Sequence, residues 1–177
     1  MEDGRNLVDE LKGKSNEEVF AELEQRREEL EVAIENVSHD FNVGTIVRSA
    51  NNFNARAVHI IGRKKYNRRG AMCTDKYLTV KYWENAREFL DEQRKRGREV
   101  VAIENNSEFV QGGLLSKKFI QETTLVFGSE GDGISRELLE GCDDVREIES
   151  LGSTRSVNVG VAAGIAMYEW FRGTRYD

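Results

Sequence analysis

Six short runs rich in Val and Ile recur along this 177-residue chain, and helical segments separate several of them. The runs are LEVAIENV (30–37), AVHIIG (57–62), LTVKYW (78–83), EVVAIEN (99–105), TTLVFGS (123–129) and DVREIES (144–150). Val43 to Asn52, Asn85 to Arg96, Ser135 to Gly141 and a longer stretch from about Val157 to Phe171 read as helices. Strands alternating with helices need crossover connections, and crossovers make the strands parallel. AVHIIG and TLVFG are almost continuously apolar, which fits central strands covered on both faces. The expectation is an α/β fold: a mostly parallel sheet with helices on both faces.

Ahead of the first run, Ser15-Asn16-Glu17-Glu18 has the form of a capping box opening a helix. Val19, Phe20, Leu23 and Arg27 would share one face of it. Residues 1–29 are therefore expected to form an N-terminal helical extension, packed on the main domain or contacting a second copy. Residues 30–177 form the main domain, with no repeat or low-complexity linker dividing it.

The net charge of −6 hides an asymmetry. Residues 1–40 hold 13 Asp+Glu and 5 Lys+Arg, a net of −8, so the other 137 residues carry +2. Arg63, Lys64, Lys65, Tyr66, Arg68 and Arg69 crowd five cations and an aromatic into seven positions between two strands. Local clusters steer polyanions better than totals do, so this group is expected to touch nucleic acid, with Tyr66 available for base stacking. Arg94 to Arg98 is a second basic group; at the end of a helix it reads as a solvated terminus favoured by the dipole. No apolar run reaches membrane-spanning length and the start of the chain lacks a signal design, so a cytoplasmic protein is expected. Cys73 and Cys142 have no partner at metal-ligand spacing and read as thiols, with no metal expected. His59, inside an apolar strand, reads as a core histidine.

The glycine-rich stretch LVFGSEGDGIS (125–135) looks at first like a phosphate loop. The P-loop needs a lysine directly after its last glycine, yet Ile134 follows Gly133. Gly128, Gly131 and Gly133 do not match the dinucleotide spacing either. Glu130 and Asp132 would repel a polyanion at close range. The loop instead suits a cation, or a nucleoside with donors to satisfy.

Two further groups sit at strand-to-helix junctions. Asn42-Val43-Gly44-Thr45-Ile46-Val47-Arg48 follows the first strand, and Ser153-Thr154-Arg155-Ser156-Val157-Asn158 leads into VGVAAGIAMYEW. Capping accounts for Asn42 and for Ser156 singly, but it does not require Asn158 one step inside. Together, in this order, N-x5-R, LVFGSEGDGIS and SVNVGVAAGIAMYEW resemble the SpoU (TrmH-like) branch of the SPOUT RNA methyltransferases, over about residues 30–172. Glu149 and Asn54 stand where that family often has Pro and Gly.

The resemblance implies a C-terminal deep trefoil knot, a homodimer, and S-adenosylmethionine held in the knot near the dimer interface. Carried over by motif, Gly128, Ile148, Ser156 and Val157 match cofactor-contacting positions, with Ile103 as another wall. Asn42, Arg48, Glu130, Ser156 and Asn158 match the polar catalytic set, with Arg48 supplied by the partner subunit. The implied reaction is methyl transfer to a ribose 2′-hydroxyl of tRNA or rRNA. Arginine stays protonated, so Arg48 is expected to bind the adjoining phosphate and orient the hydroxyl rather than act as a free base. The competing reading is a catalytically silent knotted RNA-binding dimer.

Overall fold

The computed structural model describes residues 3–36, 42–63, 65–66, 68–105, 107–129 and 131–176, with Asn36 described in its backbone alone. The predicted runs become β1 (Glu28–Asn36), β2 (Ala55–Gly62), β3 (Thr79–Trp83), β4 (Glu99–Ile103), β6 (Thr123–Phe127) and β7 (Asp144–Glu147). A two-residue strand that no apolar pattern announces, β5 (Gly112–Gly113), completes a seven-stranded sheet in the order β3-β2-β1-β6-β4-β7-β5. Every pairing between these strands is parallel.

The helices are α1 (Asn16–Glu24), α2 (Asn42–Asn52), α3 (Ala86–Lys95), α4 (Arg136–Gly141) and α5 (Val159–Arg175). Strand side chains alternate between two apolar layers, as a period of two requires. Leu30, Val32 and Ile34 of β1 join Leu125 and Phe127 under α2 and α5, with Ile46, Val47, Met167 and Trp170 facing them. Ala33, Ala102 and Val126 point the other way, to Phe89 of α3 and Leu138 of α4. The result is a three-layer α/β sandwich, as the sequence leads one to expect.

Local signals set the helix starts. Ser15 and Glu18 form the reciprocal capping box ahead of α1. α1 then docks on the main domain: Leu11, Val19 and Tyr77 form a small apolar cluster of their own. Tyr77 also donates its hydroxyl to Asn16 Oδ1 at 3.1 Å. Asn54, one of the two departures from the family pattern, sits at φ 51°, in the left-handed region that asparagine tolerates best after glycine. Its side chain donates to Arg26 O at 2.6 Å and accepts from Arg27 at 2.8 Å, so it fits the turn that a glycine would otherwise fill.

The second basic group divides: Arg94 and Lys95 are exposed in the last turn of α3, as expected, whereas Arg96 and Arg98 reach inward to partners. Arg96 donates two bonds to the fully buried Glu31, at 2.8 and 2.6 Å. Arg98 is itself buried and donates to Thr124 Oγ1 at 2.9 Å and Thr123 O at 2.8 Å. Arg98 does not end a helix in solvent, and Arg96, although exposed at the end of α3, reaches a buried carboxylate 65 positions away in sequence. His59 completes the network, with Nε2 at 2.9 Å from Glu31 and Nδ1 accepting from Trp83 Nε1 at 2.9 Å. Because Nδ1 accepts, the ring is neutral and its Nε2–H donates to the carboxylate. Burial holds the His59 pKa below its ordinary value. Burial also works against the Glu31 charge, but the bonds from His59 and Arg96 outweigh it and keep the carboxyl well below its usual range.

Candidate active site

The strands of a parallel sheet end together, and ligands gather beyond those ends. Here the ends of β4 and β6 and the start of α5 surround a cleft of about 580 Å³. Its floor is the glycine-rich loop. Ser129 and Gly133 exchange backbone hydrogen bonds at 3.1 and 3.0 Å, folding the loop back on itself. Gly128 is required there: a Cβ would fall 2.5 Å from Ile134 N and overlap the Gly133 carbonyl. Gly133 has a φ of 66°, where side chains rarely sit.

Two carboxylates from strand ends fix this loop, and neither was among the sequence candidates. Glu104 accepts from Ile134 N and Asn105 N, both at 2.9 Å. Glu35 accepts from Ser135 N at 2.7 Å. A signal was available, since Ala-Ile-Glu-Asn occurs twice, at 33–36 and 102–105, each time at a strand end. Asn105 of the second copy brackets Ile148, donating to its carbonyl at 2.6 Å and accepting from its amide at 3.3 Å.

The sequence candidates divide among several places. Ile103, Gly128, Ser156, Val157 and Asn158 all line the cleft. Ile148 does not; its side chain lies in an adjoining apolar groove with Leu115, Val161, Ile165 and Tyr168. Asn42 stands at the first turn of α2 and lines a narrow crevice with Glu35, Gly128 and Ser129. Its Oδ1 accepts from Asn158 Nδ2 at 3.0 Å. Asn158, not Ser156, caps α5, its Oδ1 accepting from Gly160 N at 2.9 Å and Val161 N at 3.3 Å. Gly160 leaves room for α2 beside this cap: a Cβ at that position would be 3.1 Å from Thr45 Cγ2. Arg48, further along α2, is exposed and lines a different cleft of the same chain. Glu130 lies outside the described residues, as does Lys64 of the basic group.

Among the described residues no lysine or arginine lines the 580 Å³ cleft, whereas Glu104 and Asp132 do. Ile103, Ile134, Leu139 and Val157 supply apolar walls. Such a site disfavours phosphate and suits an apolar ring system carrying a positive charge. In the basic segment, Arg63, Lys65, Arg68 and Arg69 are exposed, and Arg68 pairs with Asp75 at 3.2 Å. Tyr66 corrects the sequence reading. Its ring is only 7% exposed, packed into the core layer under α2, and cannot offer a face to a base. Burial accordingly raises its pKa.

Comparison with known proteins now decides the family. Residues 29–168 match the model of the SpoU rRNA methylase family. The chain belongs to that family of RNA methyltransferases. A SpoU relative from Aquifex aeolicus, a tRNA (guanosine(18)-2′-O)-methyltransferase, is 32% identical over 83% of this chain and 71% of its own length. The crystal structure of the A. aeolicus TrmH/SpoU tRNA modifying enzyme superposes with a TM-score of 0.77 at 29% identity, covering 89% of this chain and 81% of that one. An AdoMet-bound rRNA methyltransferase from Sinorhizobium meliloti superposes with a TM-score of 0.73 at 25% identity, covering 85% and 59%. The chain spans about half the length of the mycobacterial SpoU relatives it matches. No helix among the described residues is long and apolar enough to cross a membrane.

Proposed function

We propose that this chain transfers a methyl group from S-adenosylmethionine to a ribose 2′-hydroxyl of tRNA or rRNA, in the cytoplasm, as a homodimer with a knotted C-terminal segment. The observation that carries the reading is a cleft at the ends of β4 and β6 that is lined by carboxylates and free of lysine and arginine among the described residues. When bound, S-adenosylmethionine supplies an electrophilic methyl on a cationic sulfur. The residues present fit such a group. Gly128 and Gly133 bring backbone close, Ile103 and Val157 offer apolar walls, and Glu104 and Asp132 favour positive charge.

The chain's own residues then divide the remaining work. Ser156 and Val157 stand at the mouth of the cleft, ahead of the Asn158 cap. Asn158 and Asn42, joined by their amides, tie the start of α5 to the start of α2 and hold a polar edge beside Gly128. Ile148 contributes through its backbone, which Asn105 holds on both sides. Glu130 is assigned to the same polar group by its motif. A 2′-hydroxyl is a weak nucleophile until it is oriented and its proton drawn away. Arg48 is suited to grip the neighbouring RNA phosphate and aim that hydroxyl, using the planar fork that lysine lacks.

Arg48 does not line the cleft of its own chain, which supports a dimer in which each subunit's Arg48 serves the other's cleft. The apolar groove along α5, with Val161, Ile165 and Tyr168 exposed, supports the same dimer. Residues 30–177 form the methyltransferase unit and residues 1–29 the extension. Arg63, Lys64, Lys65, Arg68 and Arg69 are assigned to RNA backbone contact, without Tyr66.

The test pairs S-adenosylmethionine calorimetry with mapping of 2′-O-methyl sites in cells with and without the protein. Arg48→Lys should bind the donor as the parent does yet lose nearly all turnover. Donor binding without any site lost from the RNA would favour a silent RNA-binding dimer. Parental rates in Arg48→Lys would exclude a role for the guanidinium.

A further inference from the structure

Arg48 opens onto a second cleft, of about 250 Å³, and one wall of that cleft is the N-terminal segment. Arg5, Asn6 and Asn16 line it from that side, while Arg48 and Lys76 line it from the main domain. No carboxylate lines it among the described residues. The side chain of Arg5 is committed, bonded three times to Asp3, once to Lys14 O and once to Asn16 Oδ1 at 3.0 Å. Arg48 and Lys76 are both exposed, and neither makes a side-chain hydrogen bond or ion pair among the described residues. The cleft therefore presents two uncommitted positive charges beside amide donors, the reverse of the methyl-donor cleft.

The segment that builds this wall lies outside the region matching the family, which begins at residue 29. The segment is nonetheless anchored to the main domain, through the Leu11, Val19 and Tyr77 cluster and the Tyr77–Asn16 bond. The wall is thus a fixed feature of this chain.

We propose that the docked N-terminal segment and Lys76 form, with Arg48, a subsite for the phosphodiester backbone of the substrate RNA. Lys76 is the second cation on the strand that Arg48 grips, and Asn6 borders the space the strand occupies. This rests on the methyltransferase reading and adds to it a feature that restricts which RNA can lie beside Arg48.

The test measures binding of labelled unfractionated tRNA to the full chain by fluorescence anisotropy, across a salt series, with S-adenosylmethionine affinity measured in parallel. Lys76→Glu reverses one charge of the pair, and Asn6→Trp fills the cleft from its exposed rim. Each should weaken tRNA binding by about tenfold or more, while donor affinity and Tm stay at the parental values. Lys76→Ala should reduce the slope of log K against log salt by about one, as loss of one phosphate contact requires. RNA affinities within twofold of the parent in both Lys76→Glu and Asn6→Trp would overturn the subsite while leaving the methyltransferase reading intact. Failure of the parent to bind S-adenosylmethionine would instead overturn that reading, and the subsite with it.

Discussion

Gly128→Ala is the most direct probe of the donor cleft. The new Cβ would lie 2.5 Å from Ile134 N and overlap the Gly133 carbonyl. Carbon and nitrogen in unstrained contact sit about 1 Å further apart, so one arm of the loop must move by roughly that much. Two routes are open. The loop can release its own bonds, namely the Ser129–Gly133 pair and the grips of Glu104 and Glu35. At about 1 kcal/mol for each neutral bond and 1.5–3 for each carboxylate bond, that route costs about 5–8 kcal/mol. Alternatively the backbone strains around the extra methyl, as in overpacked cores, at about 1–3 kcal/mol. The cheaper route decides, so the arrangement that receives the donor is disfavoured by about 1–3 kcal/mol. Calorimetry should then find S-adenosylmethionine binding weakened between about fivefold and 150-fold. Gly173 supplies the control, because it lies near the far end of α5, away from the cleft, and a Cβ there meets nothing within 4 Å. Gly173→Ala should bind the donor as the parent does. Parental affinity in Gly128→Ala, or equal losses in both variants, would refute the close-approach reasoning.

Asn158→Ala removes the α5 cap and the bridge to Asn42, and should lower stability by about 1–2 kcal/mol in denaturant titrations. Asn158→Asp keeps the accepting oxygen and should retain most of that stability while losing the bridge, so a Tm as low as that of the alanine variant would rule out the capping role. Acid should destabilise the fold through His59. Its pKa is depressed in the folded chain, so below about 6.5 the unfolded chain takes up a proton that the buried ring refuses. Stability is therefore present above pH 6.5 and falls by about 1 kcal/mol between pH 7 and 5.5, with Glu31 adding a further loss, in the same direction, below its ordinary carboxylate range. Denaturant titrations across that interval should find the decline, and His59→Gln should remove its upper part; an unchanged midpoint in the parent would contradict the neutral buried ring.

How much of this was legible in the residues depends on how far apart the interacting groups lie. Strands were legible because burial on two faces writes a continuous apolar run, and the capping box because its partners are three residues apart. β5 was not, since Gly112 and Gly113 carry no side chains to form a pattern. Arg98 reads as part of a solvated helix end because its local neighbours are charged; Glu31, which pairs with it and with Arg96, lies on β1, far away in sequence. Tyr66 misled in the same way. Its neighbours in sequence are exposed cations, but its neighbours in space are the apolar residues of the layer under α2. Glu35 and Glu104 are the instructive misses. The loop displays Glu130 and Asp132 in its own sequence, whereas its shape is held by carboxylates at the ends of the strands beside it.

The two clefts also explain why a chain of net charge −6 can serve a polyanion. A sulfonium donor and an RNA strand place opposite demands on their surroundings, and at a few ångströms each would be weakened by the environment that suits the other. The fold separates them by secondary structure. Strand ends β1 and β4 bring Glu35 and Glu104 to the donor side, while α2 carries Arg48 away from that cleft toward Lys76 and the N-terminal segment. Arg48 lies six residues along α2 from Asn42, about 9 Å, which is about one Debye length at physiological salt, so each field is attenuated at the other's site. In the homodimer proposed above, a second subunit would present its α2 to the first one's donor cleft, and that arrangement would follow from keeping the two charges apart within one chain.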